Sequence, residues 1–125
     1  MPQLPYSIEL HDSKIAGIED VDGTAIVRFS HAYIHKDGKG WSQAAELRIG
    51  SASLELNQTE FPATVDDGKL NTKKGSYHNL LTIPLDTDDD VDLLIEFSSG
   101  AQARIKGSGI SVVFAGERVF IEDVT

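Results

Sequence analysis

The sequence predicts an all-β protein: one antiparallel sandwich or flattened barrel of about eight to ten short strands, with little or no helix. Three observations carry that prediction. Apolar residues alternate with polar ones along much of the chain, as they do where successive side chains point to opposite faces of a sheet. Turn residues break the alternation at short intervals. Helix is scarce: "SQAAELRI" has an acceptable helical composition, but Gly50 and the alternation after it favour a strand.

The elements follow in chain order. The opening stretch "LHDS" sets His11 beside Asp12 and Ser13. Asp12 and Ser13 are expected to turn the chain through side-chain-to-backbone hydrogen bonds. Asp22 and Gly23 stand between two apolar stretches and predict a hairpin, because a type I′ turn needs positive φ at both central residues. In "TAIVRFSHAYIH" one face reads Ala25, Val27, Phe29, His31, Tyr33, His35, and the other carries Thr24, Arg28 and Ser30. This is a strand whose inner face turns from apolar to polar-aromatic along its length. The "KDGKG" turn ends it, and Trp41 follows as a core or rim anchor.

Ala45, Leu47 and Ile49 share a face, but beyond Gly50 the apolar positions become Ala52, Leu54 and Leu56. A strand cannot change phase without an inserted residue, so a bulge or corner is expected at Gly50 and Ser51. Residues 57–79 show no clear period and read as a long loop, pinned by Phe61, Val65, Leu70 and Tyr77, with a short strand around 61–65. The acidic run "DTDDDVD" reads as an exposed turn between strands "LLTIPL" and "VDLLIEF". Segments 93–97, 101–106, 110–115 and 118–122 are expected to form an antiparallel meander, with Gly107 and Gly109 supplying positive φ in one of its turns.

Composition narrows the function. The 125 residues fit one domain, 1–125, long enough to bury a core without covalent staples. With 20 acidic against 11 basic residues the net charge is −9, which disfavours nucleic acid and anionic membranes, since phosphate binding wants the opposite sign. No run approaches the ~20 apolar residues of a membrane helix. The opening residues lack the basic flank and apolar core of a signal peptide, and there is no cysteine. Both features point to a cytoplasmic protein.

Five residues stand out as ligand-binding candidates: His11, His31, Tyr33, His35 and Trp41. On a helix His31 and His35 would be neighbours able to share a metal; on a strand the same spacing spans about 13 Å, at ~3.3 Å per residue, and the pair is no metal motif. His11, Asp12 and Ser13 supply the residue types of a catalytic triad, but on a strand adjacent residues face opposite ways, and no G-x-S-x-G elbow exposes a nucleophile. The acidic run fits no EF-hand register: counted from Asp86 the glycine and glutamate positions hold Val91 and Phe97, and counted from Asp88 they hold Leu93 and Ser99. "GSG" at 107–109 is followed by strand rather than by a helix, so it is no phosphate loop. "NQT" at 57–59 is a glycosylation sequon of meaning only in a secreted eukaryotic protein. No catalytic residue, metal or cofactor is therefore expected.

The frame made by "LHDSKIAGIE", "WSQAAELRI" and the closing "GSGISVVFAGERVFIED" resembles small uncharacterised bacterial all-β proteins that share an LHDS-like opening and a C-terminal Gly-rich hairpin. The resemblance implies a bacterial single-domain β protein and brings no activity or site residue with it.

Two functional expectations follow. The first is a non-catalytic binding module whose acidic surface suits a basic protein partner, as in an immunity-type protein that neutralises a basic toxin. The second is a small-ligand or metal-binding barrel whose mouth is lined by the five candidates, with 57–79 as a lid. Exposed edge strands would also allow a homodimer.

Overall fold

The computed structural model describes residues 6–57, 59–73, 75–82 and 86–123. Its eight strands are β1 (Ser7–Val21), β2 (Thr24–Lys36), β3 (Lys39–Leu56), β4 (Ala63–Thr72), β5 (Gly75–His78), β6 (Leu80–Thr82), β7 (Asp86–Phe97) and β8 (Gln102–Asp123). All pair antiparallel, in the order β5-β4-β7-β8-β3-β2-β1-β6, and β1 also pairs with β4, so the sheet closes on itself as a flattened barrel. Among the described residues no helix is long and apolar enough to cross a membrane.

Alternation builds the interior. Val27, Leu47, Ile49, Leu93, Ile95 and Ile105 come from four strands and are wholly buried. They belong to one core cluster, so the barrel is filled by side chains. Asp22 and Gly23 form the expected hairpin, with φ of 53° and 85°, and Asp37 and Gly38 make a second one, with φ of 55° and 72°. The phase change at Gly50 is also as expected: the β3–β8 register shifts on both sides of Gly50, and Ser51 has φ 46°.

Four expectations are corrected. Between Phe29 and Ala32 the β2–β3 register shifts by one residue. The inner face of β2 therefore runs Ala25, Val27, Phe29 and then Ala32, Ile34. His31 and Tyr33 leave the face on which the uninterrupted alternation had set them, because a bulge moves every later side chain to the other side. Residues 57–79 are no long loop, for they contain the β4–β5 hairpin. A shift between Val65 and Asp67 hides that strand's period: Val65, Gly68 and Leu70 are its buried positions. The acidic run is not a turn but the start of β7, whose register slips between Thr87 and Asp90. Finally, Gly107 to Gly109 do not connect two strands. They lie within β8, where Gly109 has φ 84° and the strand bends against the Gly50 bulge of β3. The segments expected at 101–106, 110–115 and 118–122 are one continuous strand.

The "LHDS" segment turns the chain as expected, in the form of a bulge. Glu9 pairs with Tyr33 and Lys14 with His31, leaving residues 10–13 opposite Ala32 alone. Asp12 takes φ 72°. The buried Ser13 hydroxyl closes the gap, donating to the Glu9 carbonyl (2.5 Å) and accepting from the Tyr33 N–H (3.0 Å).

Candidate functional site

Among the described residues the pairing of β7 with β8 ends at Asp86 and Ser111. Beyond Ser111 β8 continues to Asp123 paired only with β3, so one backbone edge of 112–123 has no strand beside it among the described residues. Residues 33–36 of β2, 39–42 of β3 and 119–123 of β8 thus form a ribbon, continued beyond β2 by Ser7–Glu9 of β1, whose outer strand β8 is open among the described residues. Val119 (63% exposed), Phe120 (50%) and Ile121 (47%) are the most exposed large apolar residues of the described chain. Three successive apolar residues on a strand cannot all face a core, so at least one of them faces solvent.

One face of the ribbon is aromatic and cationic. Trp41 pairs in register with Ile34 on one side and Phe120 on the other, and the Trp41 and Phe120 rings meet edge to face at 5.6 Å. The Trp41 indole N–H donates to the Lys36 carbonyl (3.2 Å). Tyr6 stacks on Phe114 at 6.0 Å. Each cation nearby lies over a ring: Lys36 over Tyr6 (5.0 Å), Lys39 over Phe120 (5.9 Å) and Arg118 over Trp41 (5.4 Å).

The opposite face holds Tyr33, His35, Glu9 and Glu122. Gly40 makes room for them: a Cβ there would lie 2.5 Å from the Tyr33 hydroxyl, so the phenol ring covers the glycine. The hydroxyl donates to Glu122 Oε1. His35 packs edge-on against Tyr33 at 5.0 Å, with its Nε2 3.3 Å from Glu9 Oε2. His35 is 5% exposed, and its Nδ1 has no hydrogen-bond partner among the described residues.

Tyr33 titrates abnormally. Burial pushes its phenol well above the ordinary range, and the bond to Glu122 and the charges of Glu122, Glu9 and Asp12 push the same way. The folded protein therefore holds this proton more tightly than the unfolded chain does. The resulting stability is complete below the ordinary phenol range, about pH 10, and is lost progressively above it. Replacing Tyr33 with phenylalanine should flatten the alkaline loss of stability. It should also remove the phenolate absorbance that appears only as the wild-type protein unfolds in alkali.

Of the five sequence candidates, then, Tyr33 and His35 touch on one face of the ribbon, and Trp41 lies on the other. His31 is exposed, with its Nδ1 3.2 Å from Ser30 Oγ. His11 sits in the β1 bulge, 3.2 Å from Asp12. Near it lies a pair that sequence reasoning passed over, His78 and Asp67, 2.8 Å apart. Burial raises the Asp67 carboxyl, but hydrogen bonds from Asn79 and His78, with the His78 and His11 charges, hold it below its ordinary value. Among the described residues no group of three or more His, Asp and Glu is placed to hold a metal ion.

Three shallow concavities lie elsewhere, beside Gly50 and Gly109 (about 250 Å³), Pro62 and Ser99 (about 540 Å³), and Asn71 and Lys106 (about 500 Å³), and none is lined by the five candidates. Sequence reasoning also missed Lys36, Lys39, Arg118 and Phe120 as members of one face. Their signal was the unbroken "VFI" of 119–121 between charged residues. No protein-family model, curated protein or solved structure matches the chain.

Proposed function

We propose that this protein is a non-catalytic protein-interaction module that engages its partner through the open β8 edge. The observation behind this reading is the coincidence of a backbone edge unpaired among the described residues with Val119, Phe120 and Ile121 exposed on it. Natural sheets shorten, charge or cover such edges, because free N–H and C=O groups capture other strands. A long edge left open with its apolar side chains in solvent suits an added partner strand, held by main-chain bonds and selected by side-chain contacts. The cysteine-free composition suits a reducing cytosol. The small-ligand reading has less support, since the barrel interior is filled and Tyr33 and His35 lie outside it.

The test is partner capture from the source cell's lysate at several salt concentrations, using wild type and a Val119→Lys/Phe120→Lys double variant. A partner held by wild type and lost by the variant supports the reading. Equal retention by both removes β8 from the interaction, and no partner at any salt concentration counts against an interaction module altogether.

A further inference from the structure

Resting on that interaction reading, we infer that the strand received by the β8 edge is an acidic one, an extended segment alternating carboxylate and apolar side chains. The chain as a whole is acidic, at −9, and would by itself favour basic partners. The ribbon face beside the open edge has the opposite character. Lys36 and Lys39 stand directly opposite each other across their hairpin, a like-charge pairing that an antiparallel ladder disfavours. Arg118 adds a third cation on the same face, over Trp41.

None of the three forms an ion pair among the described residues. The other arginines all do: Arg28 with Glu19 and Glu46, Arg48 with Glu46, and Arg104 with Asp92. Asp123 is the register partner of Lys39, yet the lysine ammonium lies over the Phe120 ring. In a chain with 20 acidic residues, three neighbouring cations held by aromatic rings and in no ion pair among the described residues are a face prepared for an incoming anion.

The same charges argue against a second copy as the occupant. Two β8 edges joined antiparallel about a two-fold axis present the same face of both copies on one side. That arrangement would gather six uncompensated cations, from two subunits that already repel through their net charge. An acidic strand instead places carboxylates on the face of Lys36, Lys39 and Arg118 and apolar side chains against Val119 on the other face.

Trp41 is the single tryptophan and lies within this face, so its fluorescence reports occupancy. The full chain is titrated with a short synthetic peptide alternating glutamate and valine, and with its lysine–valine counterpart. The expected result is saturable binding of the glutamate peptide, weakened by salt, with little response to the lysine peptide. A Lys39→Glu/Arg118→Glu variant should lose roughly tenfold or more in affinity for the acidic peptide and gain affinity for the basic one. Both residues are on the ribbon surface, and an unchanged circular dichroism spectrum confirms that the variant is folded. Equal binding of the two peptides overturns the acidic preference and leaves the interaction module standing. Binding of neither overturns this inference too, while the module itself still answers to partner capture. A Trp41 signal that depends on protein concentration without peptide makes the occupant a second copy and overturns it as well.

Discussion

Replacing Gly107 with alanine will destabilise the protein by about 3 kcal/mol or more, read as a fall in denaturant midpoint with little change in slope. A Cβ at this position would lie 2.4 Å from the Gly50 carbonyl oxygen, 2.6 Å from Ile49 Cγ2 and 3.3 Å from Ala52 Cα. Two of those three atoms are backbone and cannot rotate away. The two longest strands, β3 and β8, are paired neighbours here, where their register shifts around Gly50, so the added methyl would have to part them. Gly17 supplies the control, since nothing lies within 4 Å of a Cβ built there. Gly17→Ala should be neutral or stabilise by up to about 1 kcal/mol, by restricting the unfolded chain. If Gly107→Ala is as mild as Gly17→Ala, the β3–β8 contact is looser than described.

Ser13→Ala should cost about 2 to 3 kcal/mol. Ser13 is fully buried, and its hydroxyl bridges the break that the 10–13 bulge opens between β1 and β2. Alanine fits the space but leaves the Tyr33 N–H without its acceptor, at a point where water does not replace it. The loss should show in equilibrium unfolding and in faster hydrogen exchange of the Tyr33 amide. Ser30→Ala is the comparison: that hydroxyl makes an exposed 3.4 Å contact with the Lys14 carbonyl, and its removal should change stability by less than about 0.5 kcal/mol. Equal effects from the two substitutions would show that the Ser13 bridge has no special role. Because Ser13 holds the backbone of Tyr33, this bulge also positions the phenol that covers Gly40 and reaches Glu122.

Much of the fold was legible because side-chain direction on a strand is set by parity. Val27, Leu47, Leu93 and Ile105 are all buried as their alternation requires. Asp22 and Gly23 turn where the type I′ signal placed them. The phase change at Gly50 was legible for the same reason, since apolar residues lie on both sides of it to show the slip. The bulge after Phe29 was not, because His31, Tyr33 and His35 can continue either face. The β4 bulge was hidden as well, because Asp66, Asp67 and Gly68 carry no apolar marker of phase.

The candidate site was legible only in fragments. The histidines drew attention as chemical types, whereas the ribbon face depends on residues that register brings together. Lys36, Lys39, Trp41 and Arg118 become neighbours through the pairing of β2, β3 and β8, and Arg118 is distant from the others in the chain. Local sequence determined that this is an antiparallel β protein with a filled interior and tight acidic–glycine hairpins, because periodicity and turn chemistry act between near neighbours. Tertiary structure alone decided where the described pairing of β7 with β8 ends and which cations share a face. Those outcomes depend on strand order and on inserted residues whose effect appears only when distant strands are laid side by side.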